Sequence, residues 1–271
     1  MKVDPIAPAG IGFSKNIRSQ VAAPPGGRGE SIVILALVLA PLGLAVIVMA
    51  IGVSILAAWQ VVHGLPVELP TSTNIQLYGQ LCYAVVSWID VAVVWLWSSR
   101  RGYSREVFAF RALTGTAIAA SIVGFVVAMY AVPIMTDALS HLTGGRSHGV
   151  RIDFHDTLSV TIFIFLFVVT TPVSEEILYR GLLVAGLRRM GCRDAVILVA
   201  SSLIFGANHL ILLGFVWSAC MIGLGAMLCG LRLRYDSLSP GWLAHVLFNA
   251  QPFLSYPLIA WLAPALLPGH L

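Results

Sequence analysis

Residues 171–180 read Thr-Pro-Val-Ser-Glu-Glu-Ile-Leu-Tyr-Arg and place Glu175, Glu176 and Arg180 inside a run that is otherwise apolar from Thr157 to Leu187. As a helix that run is roughly 45 Å long, against about 30 Å for a bilayer core. The three charges therefore fall near its middle. A charged side chain at a helix centre costs about 2.5–3.5 kcal/mol on insertion scales, so three of them require a polar interior. Glu176 and Arg180 are spaced i,i+4 and can neutralise each other. Glu175 lies about 100° round the helix from that face. A carboxylate left apart from the arginine in an apolar setting is suited to general-base work. The plainer alternative is a structural ion pair beside one satisfied glutamate.

Three further polar residues fall at a matching depth on later apolar segments. They are His209, four residues after Phe205, and the i,i+4 pair His245 and Asn249. Counted from the nearest charged helix ends, these groups and Glu175 lie roughly 13–23 Å inside. A carboxylate and a histidine can hold and activate a water, and a histidine and an amide can donate to a carbonyl oxygen as charge develops on it. Those are the parts for peptide hydrolysis without a nucleophilic side chain. Intramembrane Glu, His and Asp also make proton relays, which keeps a proton-coupled transporter open as an alternative. Against transport, no inverted repeat is visible and the polar groups cluster in the carboxy-terminal half. Asp90 is a candidate for a supporting position.

These residues need membrane helices to carry them. Of 271 residues, 58% are hydrophobic and 10% charged, where soluble domains carry about 25% charged. The expected fold is all-α, a polytopic membrane bundle of about seven (7–8) helices. Apolar segments run over 32–62 (with Pro41), 75–99, 112–135, 157–187, 195–213 and 214–231. A seventh starts near Ser239 and is interrupted by Pro252, Pro257 and Pro264. The chain divides into a cytosolic tail (1–30), three amino-terminal spans with an outer loop (31–156), and a carboxy-terminal core (157–271). Of sixteen Lys and Arg residues, all but Arg146, Arg151 and Arg180 lie in the tail or in the loops after the second, fourth and sixth spans, all on one side. This obeys the positive-inside rule for a cytosolic amino terminus. The net charge of +4 then faces anionic lipid, with no nucleic acid. Cys82, Cys192, Cys220 and Cys229 form no CxxC, so neither a disulfide framework nor a zinc ribbon is indicated. His141, His148 and His155 in the outer loop match no ligand spacing, and Asp156 is placed to cap the fourth segment.

Together Glu175-Glu176-Ile-Leu-Tyr-Arg180, Phe205-Gly-Ala-Asn-His209 and His245-Val-Leu-Phe-Asn249 resemble, in order, the EExxxR, FxxxH and HxxxN motifs of the CAAX protease and bacteriocin-processing (ABI) family. Its members include the type II CAAX prenyl endopeptidase. The resemblance covers about residues 157–255. It implies a glutamate-dependent intramembrane endopeptidase acting on a membrane-associated or carboxy-terminal protein segment. In that reading Glu175 is the general base, His209 positions its water, and His245 and Asn249 form the oxyanion hole. Glu176, Arg180 and Phe205 support the site. The family was long described as metalloproteases, and Glu175, His209 and His245 would be the alternative zinc ligands. No cofactor is expected, because Asn249 is a poor zinc ligand but a good oxyanion donor. Compact loops suit a prokaryotic plasma membrane protein. A non-catalytic immunity or scaffold protein on the same fold is the other alternative.

Overall fold

The computed structural model describes residues 28–68, 72–144 and 157–262, and all regular structure among them is helical. The helices are α1 (Arg28–Val62), α2 (Ser72–Arg100), the short α3 (Ser104–Val107), α4 (Gly115–Thr143), α5 (157–189), α6 (Asp194–Asn208), α7 (Leu210–Tyr235) and α8 (Ser239–Leu262). Five of the described helices are long and apolar enough to cross a membrane. The exposed face of α1 is apolar, with Ile47, Ile51 and Ile55 recurring at i,i+4. Such a face suits lipid, where water would penalise it. The protein is an integral membrane helical bundle.

Each of the seven expected apolar segments is a helix, with several differences in extent. α4 continues to Thr143, so His141 sits in its last turn and lies 3.4 Å from Asp137 rather than in a loop. His148, His155 and Asp156 lie outside the described residues, as does the tail before Arg28. The boundary expected near residue 213 falls at His209, because α6 has only 15 residues. At about 22 Å it is too short to cross a bilayer core. The chain reverses there, and Gly214 (φ 76°) breaks the start of α7. Ser218 Oγ donates to Gly206 O at 2.7 Å across the hairpin. A Cβ at Gly206 would stand 2.8 Å from Ser218 O, so only glycine lets α6 and α7 close this tightly. At the other end, α8 runs through Pro252 and Pro257 without a break.

α5 is the central post. It contacts α1, α2, α3, α6 and α8, and every residue from 174 to 186 is buried. A helix in a membrane must satisfy its own backbone polar groups, and α5 does so in an unusual way. It alternates α turns with two π segments, Ile164–Thr170 and Glu176–Leu183. Pro172 helps to account for the first. Lacking an N–H, it cannot bond back to the preceding turn. Thr171 N–H bonds five residues back to Leu166 O, which also accepts from the hydroxyls of Thr170 and Thr171. Phe167 O is thereby stranded, and it accepts from the side-chain amide of Asn249 at 2.9 Å. Such π turns recur at functional sites.

Close approach also governs the Arg180 end of α5. A Cβ at Gly181 would lie 2.2 Å from Val107 O. Gly181→Ala must displace the backbone of α3 and is expected to cost about 1–3 kcal/mol, read as a lower unfolding midpoint in detergent.

Basic residues gather at one end of the bundle. Asp236, in the left-handed region at φ 47° after α7, accepts from Arg188 and Arg232 on Oδ1 (both 2.7 Å) and from Arg111 on Oδ2 (2.8 Å). Burial pushes this carboxyl up, but the hydrogen bonds from Arg188 and Arg232 outweigh it and hold Asp236 below the usual range. A group depressed in the folded state adds stability above its unfolded value, and that stability is lost as pH falls through the folded one. Wild type should therefore lose thermal stability as pH drops below about 4. Asp236→Asn should be less stable at neutral pH and show less of this acid loss. A parallel acid loss in both proteins would contradict the assignment.

Candidate active site

Two carboxylates from α5 converge on one imidazole from α8. Glu175 ends the α turn Thr171–Glu175, and Glu176 opens the second π segment. Glu176 Oε1 lies 3.2 Å from Arg180 Nη1 and 3.3 Å from His245 Nδ1. The other ring nitrogen, His245 Nε2, stands 3.7 Å from Glu175 Oε2. His245 thus bridges the two glutamates, although simple helical spacing sets Glu175 off the Glu176–Arg180 face. All four side chains are buried, Glu176 and Arg180 completely.

Phe205 organises the surroundings. Its buried ring lies 4.2 Å beneath the Arg180 guanidinium and meets Tyr179 edge-on at 5.1 Å. It also touches both motif histidines, with centroids 4.7 Å from His209 and 6.0 Å from His245. Cation–π contact and the bond from Arg180 Nη2 to Gly225 O (3.3 Å) hold the guanidinium in place. Gly241 of α8 leaves room for the carboxylate, since a Cβ there would sit 2.6 Å from Glu176 Oε2. Gly241→Ala is expected to shift Glu176 and its histidine. Misplacement on the ångström scale costs about 10²-fold in rate, which cleavage assays on the folded variant would read.

Not every expected residue reaches the carboxylates. His209 is half-buried at the α6–α7 turn, with Nδ1 on Phe205 O at 2.7 Å. Asn249 commits one amide hydrogen to Phe167 O and retains a second. Asp90 is buried on α2, and its Oδ2 has no hydrogen-bond partner among the described residues. Of the alternative zinc set, Glu175 and His245 stand together, while His209 is held at the α6–α7 turn by Phe205 O. Sequence reasoning missed Tyr83, whose hydroxyl donates to Glu175 Oε1 at 2.9 Å. It also missed Gln80, whose amide donates to Thr171 Oγ1 at 2.9 Å. No motif marks either residue.

This arrangement can be set against known families. Residues 157–251 match the family model described as type II CAAX prenyl endopeptidase Rce1-like. That segment, about a third of the 271-residue chain, is similar to the Rce1-like domain. It runs from α5 into the first half of α8 and contains all three motifs, while α1 to α4 lie outside it. No curated protein and no solved structure matches the chain.

Proposed function

We propose that the chain is a glutamate-dependent endopeptidase that hydrolyses a peptide bond in a membrane-associated or carboxy-terminal segment of another protein. The observation that carries this reading is His245 set between Glu175 and Glu176, with Arg180 neutralising the latter. Paired in this way, Glu176 and Arg180 orient the imidazole and leave Glu175 for chemistry.

In the proposed reaction Glu175 takes a proton from a water as the water oxygen attacks the scissile carbonyl carbon. His209 orients that water. His245, held against Glu176 at Nδ1, presents Nε2 to the developing oxyanion. The second amide hydrogen of Asn249 completes the oxyanion hole. Collapse breaks the C–N bond, and Glu175 passes its proton to the departing amine. His209 is the most accessible of the set, and the turn that follows it exposes Leu210 and Ile211. Entry from the lipid side at the α6–α7 turn suits a membrane-associated segment. A prokaryotic plasma membrane with the basic end of the bundle cytosolic is the proposed setting.

The test is peptide mass spectrometry of membranes from cells producing wild type or Glu175→Gln. Cleavage products present with wild type and absent with the variant support the reading. Identical peptide profiles, with a cellular phenotype that survives Glu175→Gln, would assign the protein to a scaffold role instead.

A further inference from the structure

Helix α2 lies outside the Rce1-like domain, yet two of its side chains reach the start of the first motif. Gln80 donates to Thr171 Oγ1 and Tyr83 donates to Glu175 Oε1, each at 2.9 Å. Both bonds join residues more than ninety positions apart. They hold the α turn that carries Glu175 at its first and last residues.

The rest of α2 supports a dedicated face. Tyr83, Ser87 and Asp90 follow i,i+4,i+7 spacing and so share one stripe of the helix. All three are buried in a helix whose other faces expose Leu81, Val85, Trp88 and Ile89. Polar groups on one stripe of a membrane helix are costly and mark a functional interior. The Tyr83 ring packs with Leu42 and Ala45 of α1, which fixes its hydroxyl against Glu175. The pairing of α1 with α2 thus determines where the hydroxyl stands.

We infer that Tyr83 is a positioning residue for Glu175, supplied from outside the Rce1-like domain. Its hydroxyl caps Oε1 and turns Oε2 toward His245 Nε2, where water is activated. This rests on the proposed protease reading for its kinetic consequence, but the contact itself does not. Hydrogen bonds to charged groups are among the stronger ones, and losing this one frees the carboxylate to rotate.

The experiment uses the full-length protein in liposomes, comparing wild type with Tyr83→Phe, which keeps the ring in its α1 cluster. One arm measures modification of Glu175 by dicyclohexylcarbodiimide, mapped by mass spectrometry, and needs no substrate. Removing the hydroxyl should open Oε1 to the reagent and accelerate labelling of Glu175 by about tenfold. A second arm measures kcat and KM for the Glu175-dependent product. There kcat should fall by about tenfold with KM unchanged and the unfolding midpoint retained. Unchanged labelling, or an unchanged kcat where a product exists, overturns the inference. Faster labelling with no Glu175-dependent product supports the Tyr83 contact and sinks the protease reading instead.

Discussion

Arg180→Ala is expected to destabilise the protein by about 3–5 kcal/mol, because it strands a buried carboxylate. Arg180 and Glu176 have no exposed surface, and Glu176 Oε1 has Arg180 Nη1 at 3.2 Å as its neutralising partner. The guanidinium also covers Phe205 at 4.2 Å and Tyr179 at 5.8 Å, so the truncation leaves a void beneath it. For a chain of this size that loss lowers the unfolding midpoint by roughly 10 °C. Arg180→Lys should recover part of it, since a lysine restores the charge but not the planar fork or the stacking. Differential scanning of purified variants in detergent would measure both. A midpoint unchanged in Arg180→Ala would mean that Glu176 is not held as a charge.

Asn249→Ala should lower kcat by about 10²–10³-fold with little change in KM, as removal of an oxyanion donor does. The same substitution strands Phe167 O, because Thr171 N–H goes to Leu166 O and Pro172, next in line, has no N–H, at a cost of about 1–3 kcal/mol. The two effects separate experimentally. Measured per folded molecule below the variant's unfolding midpoint, the loss of kcat must persist if Asn249 donates to the reacting carbonyl. A normal kcat with a reduced midpoint would confine Asn249 to supporting the π segment.

Much of this arrangement was legible in the residues. The i,i+4 spacing of Glu176 and Arg180 anticipates their ion pair, and the apolar runs anticipate seven helices. Other features depend on partners far along the chain. Pro172 is visible in the sequence, but its consequence depends on Asn249, which lies 82 positions beyond the carbonyl it serves at Phe167. The resulting π turns help to explain why Glu175 can face His245 although ordinary helical spacing sets it aside. The reversal was expected near residue 213, and its position at His209 was hidden because hydropathy averages smoothly over residues 195–231, whereas the turn depends on the close approach at Gly206 and the positive φ of Gly214. Tyr83 belongs to no motif. Its role emerges only when α1 and α2 pack and aim one hydroxyl at α5.

The most direct measurement is single-turnover cleavage by purified protein in liposomes, comparing wild type with Glu175→Gln on the same bound peptide. Loss of the general base should slow the chemical step by at least about 10²–10⁴-fold, with peptide binding and the unfolding midpoint preserved. Cleavage by the Glu175→Gln protein at the wild-type rate would contradict the assignment of this carboxylate as the base.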